Sequence, residues 1–188
     1  MAKKLVLAIF MTLDGYIEGP NSDFVPPPWS PETANKWADH NLAGAGHLIY
    51  GRVSFQFNKS FWTSEAAVGH PLTAVMNRLP KTVVSRTLSG DLGWNGSSAQ
   101  GDLSECVARL KASLTEKDIY CFGGAGLATS LMSADLVDEY RLMVTPSLLG
   151  GGKRLFEPGI PKAALTLVGV DTLDVGSVIL HYQRIEDA

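Results

Sequence analysis

The chain has 188 residues, 45% hydrophobic and 19% charged, which suits one domain over residues 1–188 with a sizeable buried core. A formal net charge of −3 provides neither a basic field for nucleic acid nor an acidic tail. The sequence holds no apolar run of roughly 18 residues, so no membrane helix is expected.

The opening segment "MAKKLVLAIFMTLDG" places two lysines before an apolar stretch, as a secretory leader would. It lacks a small-residue cleavage site, and Asp14-Gly15 reads as a turn, so a strand, "KLVLAIF", is expected there. "VPPPW" (25–29) reads as a stiff surface loop. Ser30 and Pro31 then form a helix start, N-cap and first helical residue, and Ala34, Trp37, Ala38 and Leu42 recur on one helical face.

"HLIYG" and "KTVVS" are continuous apolar runs bounded by turn residues, as strands buried on both faces require. "DLSECVARLKASL" opens with Asp102 and Glu105 at capping spacing and carries Leu103, Cys106, Val107, Leu110 and Leu114 as a buried stripe. "DIYCFGG" is a further strand, with a helix starting just after Gly124 and ending near Ala134. "YRLMVTPSLL" is a strand broken by "GGG", and "ALTLVGVDTL" and "SVILHYQRI" form a hairpin around "DVGS". The expected fold is α/β: three-layer α/β/α with a mixed, mostly parallel central sheet and a C-terminal antiparallel hairpin.

Cys106 and Cys121 both fall at core-facing positions, as buried thiols of a cytoplasmic protein. The histidines at 40, 47, 70 and 181 have no metal-ligand spacing, so no metal is expected.

Ligands of open α/β sheets bind beyond the carboxyl ends of the strands. Here those ends read Gly51-Arg52-Val53-Ser54, Ser85-Arg86-Thr87 and Gly123-Gly124-Ala125-Gly126. Small and hydroxyl residues with two arginines suit an elongated anionic ligand held by helix N-termini. The usual dinucleotide fingerprint is absent, because Thr129 stands where its third glycine belongs and the acidic residue about 20 positions on is missing.

"LIYGRVSFQ", "KTVVSRTL" and "IYCFGGAGLATSLMSADLVDEYRLMVTPSLLGGGKRLFEPG", in that order, resemble the dihydrofolate reductase-like superfamily. The similarity is greatest to the reductase (C-terminal) domain of riboflavin-biosynthesis bifunctional deaminase/reductases, and "FMTLDGYIEG" resembles that group's opening. The resemblance implies an NADPH-dependent reductase of a small pyrimidine- or pterin-like heterocycle, such as 5-amino-6-(5-phosphoribosylamino)uracil. It also implies a homodimer, with neither nucleic acid nor membrane as partner.

By that resemblance, Arg52 and Ser54 would hold the 2′-phosphate of NADPH, with Gly51 also in the cofactor site, and Ser85 and Arg86 would flank its adenosine. Gly123 and Gly124, often joined by a cis peptide in the family, would lie beside the pyrophosphate, with Gly126 and Leu127 opening the helix aimed at it. Asp14 and Gly15 would border the nicotinamide, with Asp14 or water near Thr145 as proton source and Thr145 lining the substrate side. Trp29 is the tryptophan expected to touch a ligand, and Lys153 and Arg154 would clamp a substrate phosphate. Each has an ordinary alternative: Arg52 and Arg86 as surface cations, Asp14 as a turn residue, "GGGKR" as a flexible loop. Two departures point away from dihydrofolate. Asn35 stands near where the first helix would carry a carboxylate, with only Glu32 and Asp39 nearby, and Ala128 replaces an aromatic. The deaminase zinc motif is also absent.

Overall fold

The computed structural model describes residues 3–21, 23–113 and 117–185. At its centre runs β1 (Leu5–Thr12), paired in parallel on both edges with β7 (Asp118–Cys121) and β8 (Glu139–Thr145). Beyond β7 lie β3 (Ala45–Gly51), β4 (Lys81–Val84) and β6 (Gly96–Ala99), all parallel, then β5 (Asp91–Gly93), antiparallel at the edge. Beyond β8 the sheet ends in the antiparallel pair β11 (Val178–Arg184) and β10 (Leu165–Thr172). The order β10-β11-β8-β1-β7-β3-β4-β6-β5 is the mixed, mostly parallel sheet read from the sequence.

The side chains of β1 alternate between two cores. Val6 and Ala8 pack with Trp37, Phe55 and Met76, which belong to α1 (Pro31–Asn41), α2 (Arg52–Trp62) and α3 (Thr73–Arg78). Leu5, Leu7 and Ile9 pack with Val107 of α4 (Leu103–Ala112) and with Leu127 and Leu131 of α5 (Ala125–Ser133). Helices therefore cover both faces. Each fully buried leucine contributes about 1.5–3 kcal/mol of transfer free energy, which is why these runs have no polar residue to spare.

The local signals hold. The Ser30 hydroxyl accepts from the Thr33 N–H at 3.0 Å and Pro31 opens α1, whose Ala34, Trp37 and Leu42 side are buried. Ser30 and Thr33 also donate to the Asp174 carboxylate, tying α1 to the hairpin turn. The Asp102 carboxylate caps α4 through the Glu105 N–H, and Cys106 and Val107 are buried; Leu114 lies outside the described residues. Both cysteines are buried free thiols, and burial pushes Cys121 up to about 12, so it is inert near neutrality.

Other elements gave no local signal. The β5–β6 hairpin turns through Trp94 and Asn95, both at positive φ. Tryptophan is not a residue such a turn selects. Trp94 is held there by packing on Tyr50 and Phe55 and by its Nε1–H donating to Asn77 at 2.6 Å. A separate two-stranded ribbon pairs β2 (Tyr16–Glu18) with β9 (Lys153–Arg154), so "GGGKR" is no flexible loop. Its formation depends on Gly152, at φ 118°, where a Cβ would lie 2.0 Å from the Glu18 carbonyl oxygen. The Gly123–Gly124 peptide is trans, a correction to the family-based expectation, since no cis bond occurs among the described residues. Positive φ at both glycines, 95° and 89°, turns the chain from β7 into α5 instead.

Candidate functional site

Beyond the carboxyl ends of β1, β3 and β7 opens a cleft of about 900 Å³. Gly51, Arg52 and Ser54 line it from the start of α2, and Gly123, Gly124, Gly126 and Leu127 from the start of α5. These two helix starts are pressed together. A Cβ on Gly124 would stand 3.0 Å from the Ser54 Cβ, and one on Gly51 3.6 Å from the Leu127 Cβ. Gly51 and Gly124 are the two N-cap residues, and neither helix start has a side-chain cap. Two helix starts whose N-cap glycines supply no side-chain cap thus stand with Arg52 on one cleft wall. Such a wall attracts an extended anion.

One carboxylate already tests that wall. Glu18 Oε1 accepts from the Ala125 N–H, the first of α5, at 3.3 Å, and Glu18 lines the cleft. This residue escaped the sequence reading, because only the pairing of β2 with β9 carries it to a helix that begins 107 positions away. A carboxylate at the uncapped helix start is the chemistry a pyrophosphate oxygen would reproduce, and the space outside Gly126 is open, with nothing within 4 Å of a Cβ there. The residues present therefore fit the phosphate-bearing part of NADPH.

The remaining wall is aromatic. "VPPPW" is a roof as much as a surface loop: Val25, Pro26, Pro27 and Trp29 all line the cleft. Beneath it, Phe10 packs on Trp29 and Trp37 with centroids at 5.8 and 4.7 Å. Across α2, Phe57 meets Phe24 at 5.7 Å and Trp62 meets His70 at 5.1 Å. His70 Nδ1 accepts from the Leu72 N–H at 3.2 Å, which leaves the ring proton to Nε2, and partial burial lowers its pKa.

Several expected residues lie elsewhere. Ser85 turns its hydroxyl back to the Thr87 and Leu88 N–H groups at 3.2 Å, and Arg86 is exposed; neither lines the cleft. Thr145 borders a crevice of about 10 Å³ that shares Phe10, Ile17 and Val25 with the cleft, and its hydroxyl shares a hydrogen bond with Ser147 at 2.8 Å. Lys153 and Arg154 lie on β9 of the ribbon, Arg154 over the Tyr16 ring at 4.8 Å, and neither is among the residues that line the cleft. Asp14 accepts from the Thr12 hydroxyl at 2.6 Å and from the Gly150 and Leu149 N–H groups, contacts that hold its pKa down at about 2. These contacts tie the loop after β1 to the loop after β8. On α1, Asn35 and Asp39 are exposed and Glu32 pairs with Lys36 at 2.9 Å, so the helix brings no carboxylate to the cleft. The described residues contain no group of three His, Cys, Asp or Glu side chains that could hold a metal ion, and no helix long and apolar enough to cross a membrane.

Comparison with known proteins gives this geometry a context. The chain is 29% identical over 182 residues, 96% of its length and 94% of the other's, to YyaP, an uncharacterized protein of Bacillus subtilis strain 168. Its fold superposes on RibD of Acinetobacter baumannii with a TM-score of 0.73 at 15% identity, covering 98% of this chain and 59% of that one. A pyrimidine reductase-like protein of Corynebacterium diphtheriae gives 0.67 at 14% identity, covering 99% of this chain and 93% of the other. A family model, the RibD C-terminal domain, matches residues 3–179. The chain therefore belongs to the RibD C-terminal domain family.

Proposed function

We propose that the chain is an NADPH-dependent reductase of a pyrimidine- or pterin-like heterocycle, working in the cytoplasm as a homodimer. The observation that carries the reading is the wall where two helix starts with glycine N-caps meet beside Arg52, inside a cleft large enough for a dinucleotide and a ring. Bound there, NADPH would supply a hydride equivalent to the carbon of a C=N bond, while a proton from Asp14 or from a water held near Thr145 goes to the nitrogen. Arg52 and Ser54 hold the 2′-phosphate end, and the N–H groups opening α5 take the pyrophosphate, displacing Glu18 from Ala125. The aromatic walls and the roof of Val25 to Trp29 exclude water from the reacting ring. A second copy would pair along β10, the edge strand of the sheet, where Leu167, Val168 and Val170 are exposed.

A fluorescence titration with NADPH and NADH tests the groove. Arg52→Ala removes one charge-assisted contact from an exposed position, worth about 1.4 kcal/mol, and should weaken NADPH about tenfold while leaving NADH unchanged. No saturable binding of either nucleotide would sink the reading. A non-catalytic NADP-binding module is favoured by one observation, the lack of an α1 carboxylate in the cleft. NADPH binding without oxidation in the presence of any pterin or pyrimidine would select it.

A further inference from the structure

The charges of the cleft are few and unevenly placed. Among its lining residues only Arg52 and Glu18 carry formal charge, and both stand at the helix-start wall. The rest of the lining is rings and aliphatic groups. Its polar side chains are largely engaged: Asn58 donates to the Ser54 carbonyl at 2.9 Å and accepts from Trp62 Nε1 at 3.1 Å. The Nε2–H of His70 is left as a donor, since Nδ1 is occupied by the Leu72 N–H. Lys153 and Arg154 lie on β9, whose backbone pairs with β2, and neither is among the residues that line the cleft.

We infer that the substrate is an uncharged, planar nitrogen heterocycle without a phosphate, seated among the cleft's aromatic rings and anchored at its edge by His70. The inference rests on the assignment of Arg52 to the cofactor's phosphate. With that cation committed, a phosphoribosyl group would set a dianion against a half-open aromatic wall that lends it no counter-charge, and a phosphate partly desolvated there without a paired cation is disfavoured. A flat ring loses nothing by entering. It exchanges water for ring faces on Phe10, Trp29 and Phe57, and its carbonyl or ring nitrogen accepts from His70. The chain would thus share the family's cofactor wall while taking a substrate stripped of the ribose phosphate.

The test is quenching of tryptophan fluorescence, since Trp29, Trp37 and Trp62 all line the cleft. Two probes are titrated with and without NADPH: 6-methyl-7,8-dihydropterin, which is uncharged, and 5-amino-6-(5-phosphoribosylamino)uracil. The expected result is at least tenfold tighter binding of the dihydropterin, no competition against it by millimolar inorganic phosphate, and little dependence on salt. Phe57→Ala, at a residue 56% exposed and so safe for folding, should weaken the dihydropterin about tenfold with NADPH affinity unchanged. His70→Phe keeps the ring and removes the donor, and should weaken it severalfold. Tighter binding of the phosphoribosyl compound, competition by phosphate, or no quenching by the dihydropterin overturns the inference. Failure of NADPH to bind overturns the reductase reading separately, because the two probes are compared in its absence as well.

Discussion

Glu18→Gln should tighten NADPH binding. The Glu18 carboxylate occupies the first N–H of α5 at 3.3 Å, where a pyrophosphate oxygen would have to go. Before the cofactor can bind, that contact must break, and the displaced carboxylate then remains near two phosphates. A negative charge at a helix start is worth about 0.3–1 kcal/mol when exposed and up to about 2 when partly buried. Glu18 is half-buried and its hydrogen bond is long, which places the contact near 1 kcal/mol, or about fivefold in affinity. Glutamine keeps the shape and an acceptor oxygen but gives up the charge. Equilibrium titration at low ionic strength should show Kd falling about fivefold, with the advantage shrinking as salt screens the repulsion. An unchanged or weaker affinity would refute the argument, the weaker case meaning that the carboxylate touches the bound cofactor instead of competing with it.

Gly124→Ala puts a Cβ at φ 89° and 3.0 Å from the Ser54 Cβ, so it should cost about 2 kcal/mol and lower Tm by roughly 4–8 °C. Gly126→Ala, with open space and helical φ, should leave Tm unchanged or raise it; equal losses in the two variants would contradict the close-approach argument. Stability should also fall with acid in two limbs. Burial lowers His47 from 6.5 to about 4, so the unfolded chain binds the proton first, and this stability is full above pH 6.5 and lost as pH falls toward 4. Asp14, lowered from 3.8 to about 2 by the Thr12 hydroxyl and the Gly150 and Leu149 N–H groups, contributes above pH 3.8 and is lost below it. His47→Gln should flatten the first limb of Tm against pH and Asp14→Asn the second; unaltered limbs would dismiss these assignments.

How much of this was legible in the chain follows a physical division. Caps, periodicities and strand ends depend on neighbours within a turn or two. Ser30-Pro31, the α4 stripe, the Gly51-Arg52 and Gly123-Gly124 junctions and the β10–β11 hairpin could therefore be read directly from residue order. The parallel sheet was readable for the same reason, since only strands buried on both faces need runs such as "KLVLAIF". What the residue order could not say is which distant groups meet. Glu18 reaches Ala125 across 107 positions, and Asp14 reaches Leu149 across 135. Lys153 and Arg154 join a ribbon instead of the cleft because Gly152 alone allows the backbone of β9 to lie against Glu18. Trp29, Phe57 and His70 each look like ordinary loop or helix residues until the fold assembles them into one aromatic enclosure. Local conformation is set by the preferences of adjacent residues, whereas the charge and shape of the cleft arise from packing that brings separate segments together, and only the tertiary structure decides that.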